Sequence, residues 1–149
     1  MAAIYDKLGI RFLYPENWTL DESAAVAGEQ TVSVYSPGGA FWSIALHDLQ
    51  TDTGELAATA LQALKAEYAD CEVEPVHEQI GQQAIDGYDL NFFYLDLTST
   101  ALVRGFRTPA ASCLLLCQAE DREMERVGPV FRAITTSLLA SPAAENRQR

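Results

Sequence analysis

The chain has 149 residues, 48% of them hydrophobic, which is the size of one globular domain with a real core. Ten Lys and Arg against twenty-one Asp and Glu give a formal net charge of -11. That balance repels nucleic-acid phosphates and anionic lipid, so neither nucleic acid nor membrane is an expected partner.

The charge is uneven, because Lys65 is the only base from Phe12 to Val103, whereas bases outnumber acids from Arg104 onward. An acidic mid-chain surface either attracts a basic partner protein or simply keeps the fold solvated. The N-terminus, Met1-Ala-Ala-Ile-Tyr-Asp-Lys, lacks the basic start and apolar run of a secretory signal. No stretch approaches the roughly 20 apolar residues that span a bilayer. Cys71, Cys113 and Cys117 are an odd set without framework spacing, which suits free thiols in a reducing, cytoplasmic compartment.

Taken in order, a turn at Gly9 leads into Ile10-Arg11-Phe12-Leu13-Tyr14, a strand stopped by Pro15. Trp18 just beyond it is expected to fold back as a core anchor rather than meet a ligand. Small and acidic residues from Asp21 to Glu29 predict a loop. Thr31 to Ser36 and Phe41 to Asp48 then form a hairpin around Pro37-Gly38-Gly39-Ala40, and its register follows from parity. Val32 and Val34 must meet Trp42, Ile44 and Leu46 on one face, which requires an odd number of loop residues. The opposite face carries Ser33, Tyr35, Phe41, Ser43 and His47.

Asp52-Thr53-Gly54-Glu55 has capping-box spacing, and Leu56, Ala60, Leu64 and Tyr68, with Ala57 and Leu61 beside them, predict an amphipathic helix of about four turns. Glu72 to Ile80 reads as a strand interrupted by Pro75, followed by Gly81 and a short piece around Ala84 to Asp86. Three apolar segments come next, Tyr88 to Leu97, Ala101 to Thr108 and Ser112 to Gln118. The connections Thr98-Ser99-Thr100 and Pro109-Ala110-Ala111 are short enough for hairpins, which makes this the middle of an antiparallel sheet. Met124, Val127, Phe131, Ile134 and Leu138 predict a second helix, broken or restarted at Gly128-Pro129. Residues 141–149 read as a polar, disordered tail after one domain spanning 1–140.

Reactive constellations are missing. Gly38-Gly39 joins two strands and is followed by no helix or Lys-Ser/Thr pair, so it is a turn and not a phosphate loop. Cys113 and Cys117 lie four strand steps of roughly 3.3 Å apart, about 13 Å, too far for a disulfide or a shared metal. His47 and His77 follow no metal-ligand spacing, and a site joining them exists only if the fold assembles one. There is no Gly-x-Ser-x-Gly elbow. Arg104 and Arg107 point to opposite faces of a strand, which disfavours a joint anion clamp and leaves Arg107 free to pair with the acidic surface. No motif calls for a cofactor.

The opening Tyr5-Asp6 with Gly9-Ile10-Arg11-Phe12-Leu13-Tyr14-Pro15-Glu16-Asn17-Trp18, the mid-chain helix, the three-strand meander and the closing Pro129-Val130-Phe131 helix resemble, in that order, the PsbP-like and Mog-like proteins. The likeness covers nearly all of residues 4 to 139 and rests on packing residues. It implies an α+β fold: an antiparallel sheet of about six or seven strands flanked by helices on both faces. It also implies a binding role, as in a photosystem II extrinsic subunit, a Ran-binding import factor and Eag-type chaperones of secretion effectors. No known binding residue of those proteins matches a motif here.

The expectation is therefore a non-enzymatic, protein-binding adaptor or chaperone-like domain. Its candidate contacts are the sheet face of Tyr35, Phe41 and His47 and the acidic Asp48, Asp52 and Glu55. The alternative is a small-ligand or enzymatic domain with a pocket between sheet and helix, using His47, His77 or Tyr side chains. A homodimer formed for structural ends is a third possibility.

Overall fold

The computed structural model describes residues 1–23 and 30–140, so most of the expected acidic loop, residues 24–29, and the tail, residues 141–149, lie outside the described residues. Strand β1 (Ala2–Lys7) pairs with β2 (Ile10–Pro15) in a separate two-stranded hairpin. Sequence reading placed only the second strand. The turn is Leu8-Gly9, both at positive φ (58° and 78°), as the tight hairpin turns require.

The remaining strands, β3 (Thr19–Asp21), β4 (Thr31–Tyr35), β5 (Phe41–His47), β6 (Glu72–Ile80), β7 (Gln83–Tyr94), β8 (Leu97–Arg107) and β9 (Ser112–Glu120), form one antiparallel sheet. Its order is β3-β4-β5-β9-β8-β7-β6. Helix α1 (Thr53–Glu67) covers one face over β7, β8 and β9, and helix α2 (Asp121–Ala140) lies on the other. The structure thus has the α+β architecture expected, seven strands with a helix on each face.

Parity argued the β4–β5 register correctly: Val34 faces Trp42 and Val32 faces Ile44, across the odd loop of residues 36–40. Three other expectations fail. The piece at Ala84 to Asp86 is no separate element, because it continues into β7. The turn after β7 is Leu95-Asp96, at φ 52° and 64°, and not Thr98-Ser99-Thr100. Those three residues belong to β8, where β-branched threonines suit a pleated ladder, and Thr100 Oγ1 donates to Asn91 Oδ1 at 2.8 Å. Helix α2 runs unbroken through Pro129. A residue before proline leaves the helical region chiefly because its Cβ meets the proline ring, and Gly128 has no Cβ.

Between α2 and the sheet sits an aromatic core. Phe12 packs on Tyr5 (ring centroids 5.0 Å) and on Trp42 (4.7 Å), and Trp18 meets Phe131 edge-on at 6.0 Å. Trp42 is fully buried and donates from Nε1 to Thr135 Oγ1 at 2.9 Å, tying β5 to α2. Burying an indole removes about 200 Å² from water, roughly 5 kcal/mol of gross stabilisation. The second, smaller core lies under α1, where Ala57, Leu61 and Leu64 meet Leu90, Phe92, Ala101 and Val103.

Candidate functional site

Helix α1 starts where expected, with the Asp52 carboxylate accepting from the backbone N–H of Gly54 (2.7 Å) and Glu55 (3.2 Å). This cap holds the helix over β7, β8 and β9. On the same side of the sheet, nothing among the described residues roofs β4 and β5. The strip left open carries Thr31, Ser33, Tyr35, Phe41, Ser43 and Ala45, all partly or well exposed. Ser33 and Ser43 face each other and share a 2.8 Å hydrogen bond, while the Tyr35 and Phe41 rings sit 5.7 Å apart at 47°. The surface is an aromatic pair beside a floor of small hydroxyls.

The structure does not gather all six candidate residues. Tyr35 and Phe41 share one end of β4–β5, and His47 lies six residues along β5, roughly 20 Å away. Asp48, Asp52 and Glu55 follow at that far end, and two of these carboxylates already serve the backbone. Asp48 Oδ1 accepts from Gln50 N at 2.8 Å, and Asp52 is the cap just described. The two histidines do not form a joint site either, since β9, β8 and β7 separate their strands. His77 Nδ1 instead lies 2.7 Å from Asp86 Oδ1, its cross-strand partner, and both side chains are exposed. Among the described residues no group of three or more His, Cys, Asp or Glu could hold a metal ion.

Arg107 contacts the loop before α1 rather than an acidic surface, with Nε donating to Leu49 O (3.3 Å) and Nη2 to Thr51 O (3.2 Å). Arg104 does point to the opposite face, where it is buried. Its Nε donates to Glu78 Oε1 at 2.9 Å, Nη2 lies 2.9 Å from Asp89 Oδ1, and Nη1 donates to the Tyr88 and Val103 carbonyls. Burial works against this charge, but the hydrogen bonds and charges of Glu78 and Asp89 outweigh it, so the guanidinium is held above its ordinary pKa. The thiols of Cys113 and Cys117 are buried on β9, and burial pushes Cys113 up to about 11 and Cys117 higher still. They are poor nucleophiles.

Two cavities lie between sheet and helix. One, of about 380 Å³, opens beside the first turn of α1 and is lined by His77, Asp86, Tyr88 and Arg107 among others. The other, about 180 Å³, lies against α2 and is lined by Arg104, Cys117, Arg132 and Thr135 with apolar neighbours.

Sequence reading missed the tip of the β7–β8 hairpin. It treated Phe93, Tyr94 and Leu95 as strand interior, yet Phe93 is 72% exposed, Tyr94 52% and Leu95 78%. The available signal was the run itself: Phe92 to Leu95 is apolar on both faces, and only one face can be buried there.

No protein-family model matches this chain, and no curated protein matches it by sequence. Solved structures do. Cyanobacterial PsbP (CyanoP) from Synechocystis sp. PCC 6803 superposes with a TM-score of 0.60 at 12% identity, covering 91% of this chain and 90% of that one. The Ran-binding protein Mog1p of Saccharomyces cerevisiae gives 0.56 at 11% identity, covering 93% and 90%. A Pseudomonas aeruginosa protein of unknown function gives 0.56 at 13%, covering 95% and 98%. At such identities the likeness is one of architecture, and on that ground this chain has the PsbP-like and Mog-like fold.

Proposed function

We propose that residues 1–140 act as a non-enzymatic adaptor or chaperone-like unit that binds another protein through the open β4–β5 strip. The supporting observation is that α1 roofs only the β7–β9 half of its face, beside which Tyr35 and Phe41 stand partly exposed. An exposed aromatic pair over a hydroxyl floor supplies area at low entropic cost and adaptable hydrogen bonds. The fold is also that of yeast Mog1p, which is a Ran-binding protein. Free thiols throughout suit a reducing compartment such as the cytoplasm.

The test is capture of partners from native lysate by tagged protein and by a Tyr35→Ser/Phe41→Ser variant. A stoichiometric partner lost from the variant, with the melting point kept, supports the reading. Equal capture by both removes the strip from consideration. Charge reversal at Asp48 and Glu55 tests the acidic end separately, leaving the Asp52 cap intact.

The second reading, small-ligand binding, has the 380 Å³ cavity in its favour, because His77, Asp86 and Tyr88 converge there under α1. A ligand filling it would raise the melting point by mass action in a thermal-shift screen. Silence across metals, nucleotides and metabolites would count against it.

A further inference from the structure

We propose that the tip of the β7–β8 hairpin is a docking knob, with Phe93 and Leu95 inserting into an apolar groove of a different protein whose rim carries Lys and Arg. This surface is separate from the Tyr35 and Phe41 strip, and either can fail without the other.

Two observations single out the tip. First, large apolar side chains stand in solvent side by side, Phe93 at 72% and Leu95 at 78% exposure, where a folded chain gains nothing from them. Second, Leu95 sits at φ 52° and Asp96 at 64°. A left-handed conformation costs a leucine roughly 1 kcal/mol, and Asn-Gly would make the same two-residue turn without that cost. Fold stability therefore favours replacing Leu95, and a binding role accounts for keeping it.

The knob is also held in place. Phe92 stacks on Tyr68 at 4.0 Å, and Tyr94 meets the same ring edge-on at 5.9 Å, so the strand ends rest on the end of α1. A preformed knob has little ordering entropy to lose on docking.

Charge selects the occupant. Asp96 is in the turn itself, and Asp70, Glu72 and Asp121 border the hollow beside Phe93. No Lys or Arg occurs between Lys65 and Arg104. An apolar knob in this negative field complements an apolar groove with a basic rim. An anionic membrane would repel it, and so would a second copy carrying the same net charge of -11.

The test is photo-crosslinking. Benzoylphenylalanine placed at position 93 is irradiated in fresh native lysate at about 50 mM and about 500 mM salt, a range across which exposed charges become screened. Adducts are mapped by mass spectrometry. The expected product joins position 93 to an apolar segment of another protein flanked by Lys or Arg, with a yield that falls several-fold at high salt. Adducts confined to lipid or to a second copy, no adduct, or a yield indifferent to salt would each overturn the proposal. Adding Leu95→Asn to the same probe protein is expected to cut the adduct about tenfold, as loss of an anchor does, while the melting point holds or rises. An undiminished adduct with Leu95→Asn would also overturn it. The same probe at Tyr35 reports independently on the sheet strip.

Discussion

At its base the β7–β8 hairpin buries a charge, and at its tip it exposes phenylalanine and leucine. Arg104 is 6% exposed and Leu95 is 78% exposed, nine residues apart. What differs is the surroundings. Arg104 lies beneath the flank of α2 with two carboxylates and two carbonyls turned toward it, so its charge is compensated. The tip projects beyond the helices, where no element remains to cover its apolar side chains. Burial in this molecule follows where the covering elements end more than it follows side-chain polarity.

The sharpest test of the base is Arg104→Ala, which leaves Glu78 and Asp89 without their shared cation. Breaking such a pair costs about 3 to 5 kcal/mol; because both carboxylates are partly exposed, the low end is expected, read as a drop of about 10 °C in melting temperature. Next comes Gly87→Ala. Gly87 faces Arg104 across the ladder, and a Cβ there would meet the Val103 carbonyl oxygen at 1.8 Å, so the strands must part. A loss of about 3 kcal/mol in urea unfolding is expected.

The thiols test how well the base is sealed. Iodoacetamide at mildly alkaline pH should label Cys71 in the native protein and spare Cys113 and Cys117 until urea is added. For Cys113 the folded pKa, about 11, lies above its ordinary 9.0. Above pH 9 the unfolded chain therefore holds fewer protons than the native one. Stability contributed here is complete below about pH 9 and falls as pH climbs toward 11, visible as a falling urea midpoint. The smallest effect belongs to the tip: Leu95→Asn should leave stability unchanged or raise it by about 0.5 to 1 kcal/mol. A clear loss would mean that the tip supports the fold and would break the contrast.

Sequence reading reached furthest where period and parity decide. Val32, Val34, Trp42 and Ile44 could share one face only through an odd loop, so the β4–β5 register, and with it the shared face of Tyr35 and Phe41, was legible. The Leu95-Asp96 turn was not, because it carries no Asn or Gly signal. Pro129 misled because the residue before it is Gly128, which lifts the usual restriction. The opposed directions of Arg104 and Arg107 could be read from their spacing. That Arg104 is buried could not, since its carboxylate partners come from β6 and β7. The separation of Tyr35 from Asp48 was likewise hidden by their nearness in sequence, which a strand converts into distance.

The pairing of β5 with β9 has a kinetic consequence. Strands β6 to β9 are joined by tight turns and can zip locally, whereas Trp42 must find Cys117 across a long intervening chain. Contacts of that span are the slow ones to form. The meander with α1 is therefore expected to assemble first and present β9 as a template on which β3, β4 and β5 dock. Both tryptophans, Trp18 and Trp42, lie in the docking part, so fluorescence after dilution from urea should lag behind far-ultraviolet circular dichroism, and the lag would time the joining of the two halves.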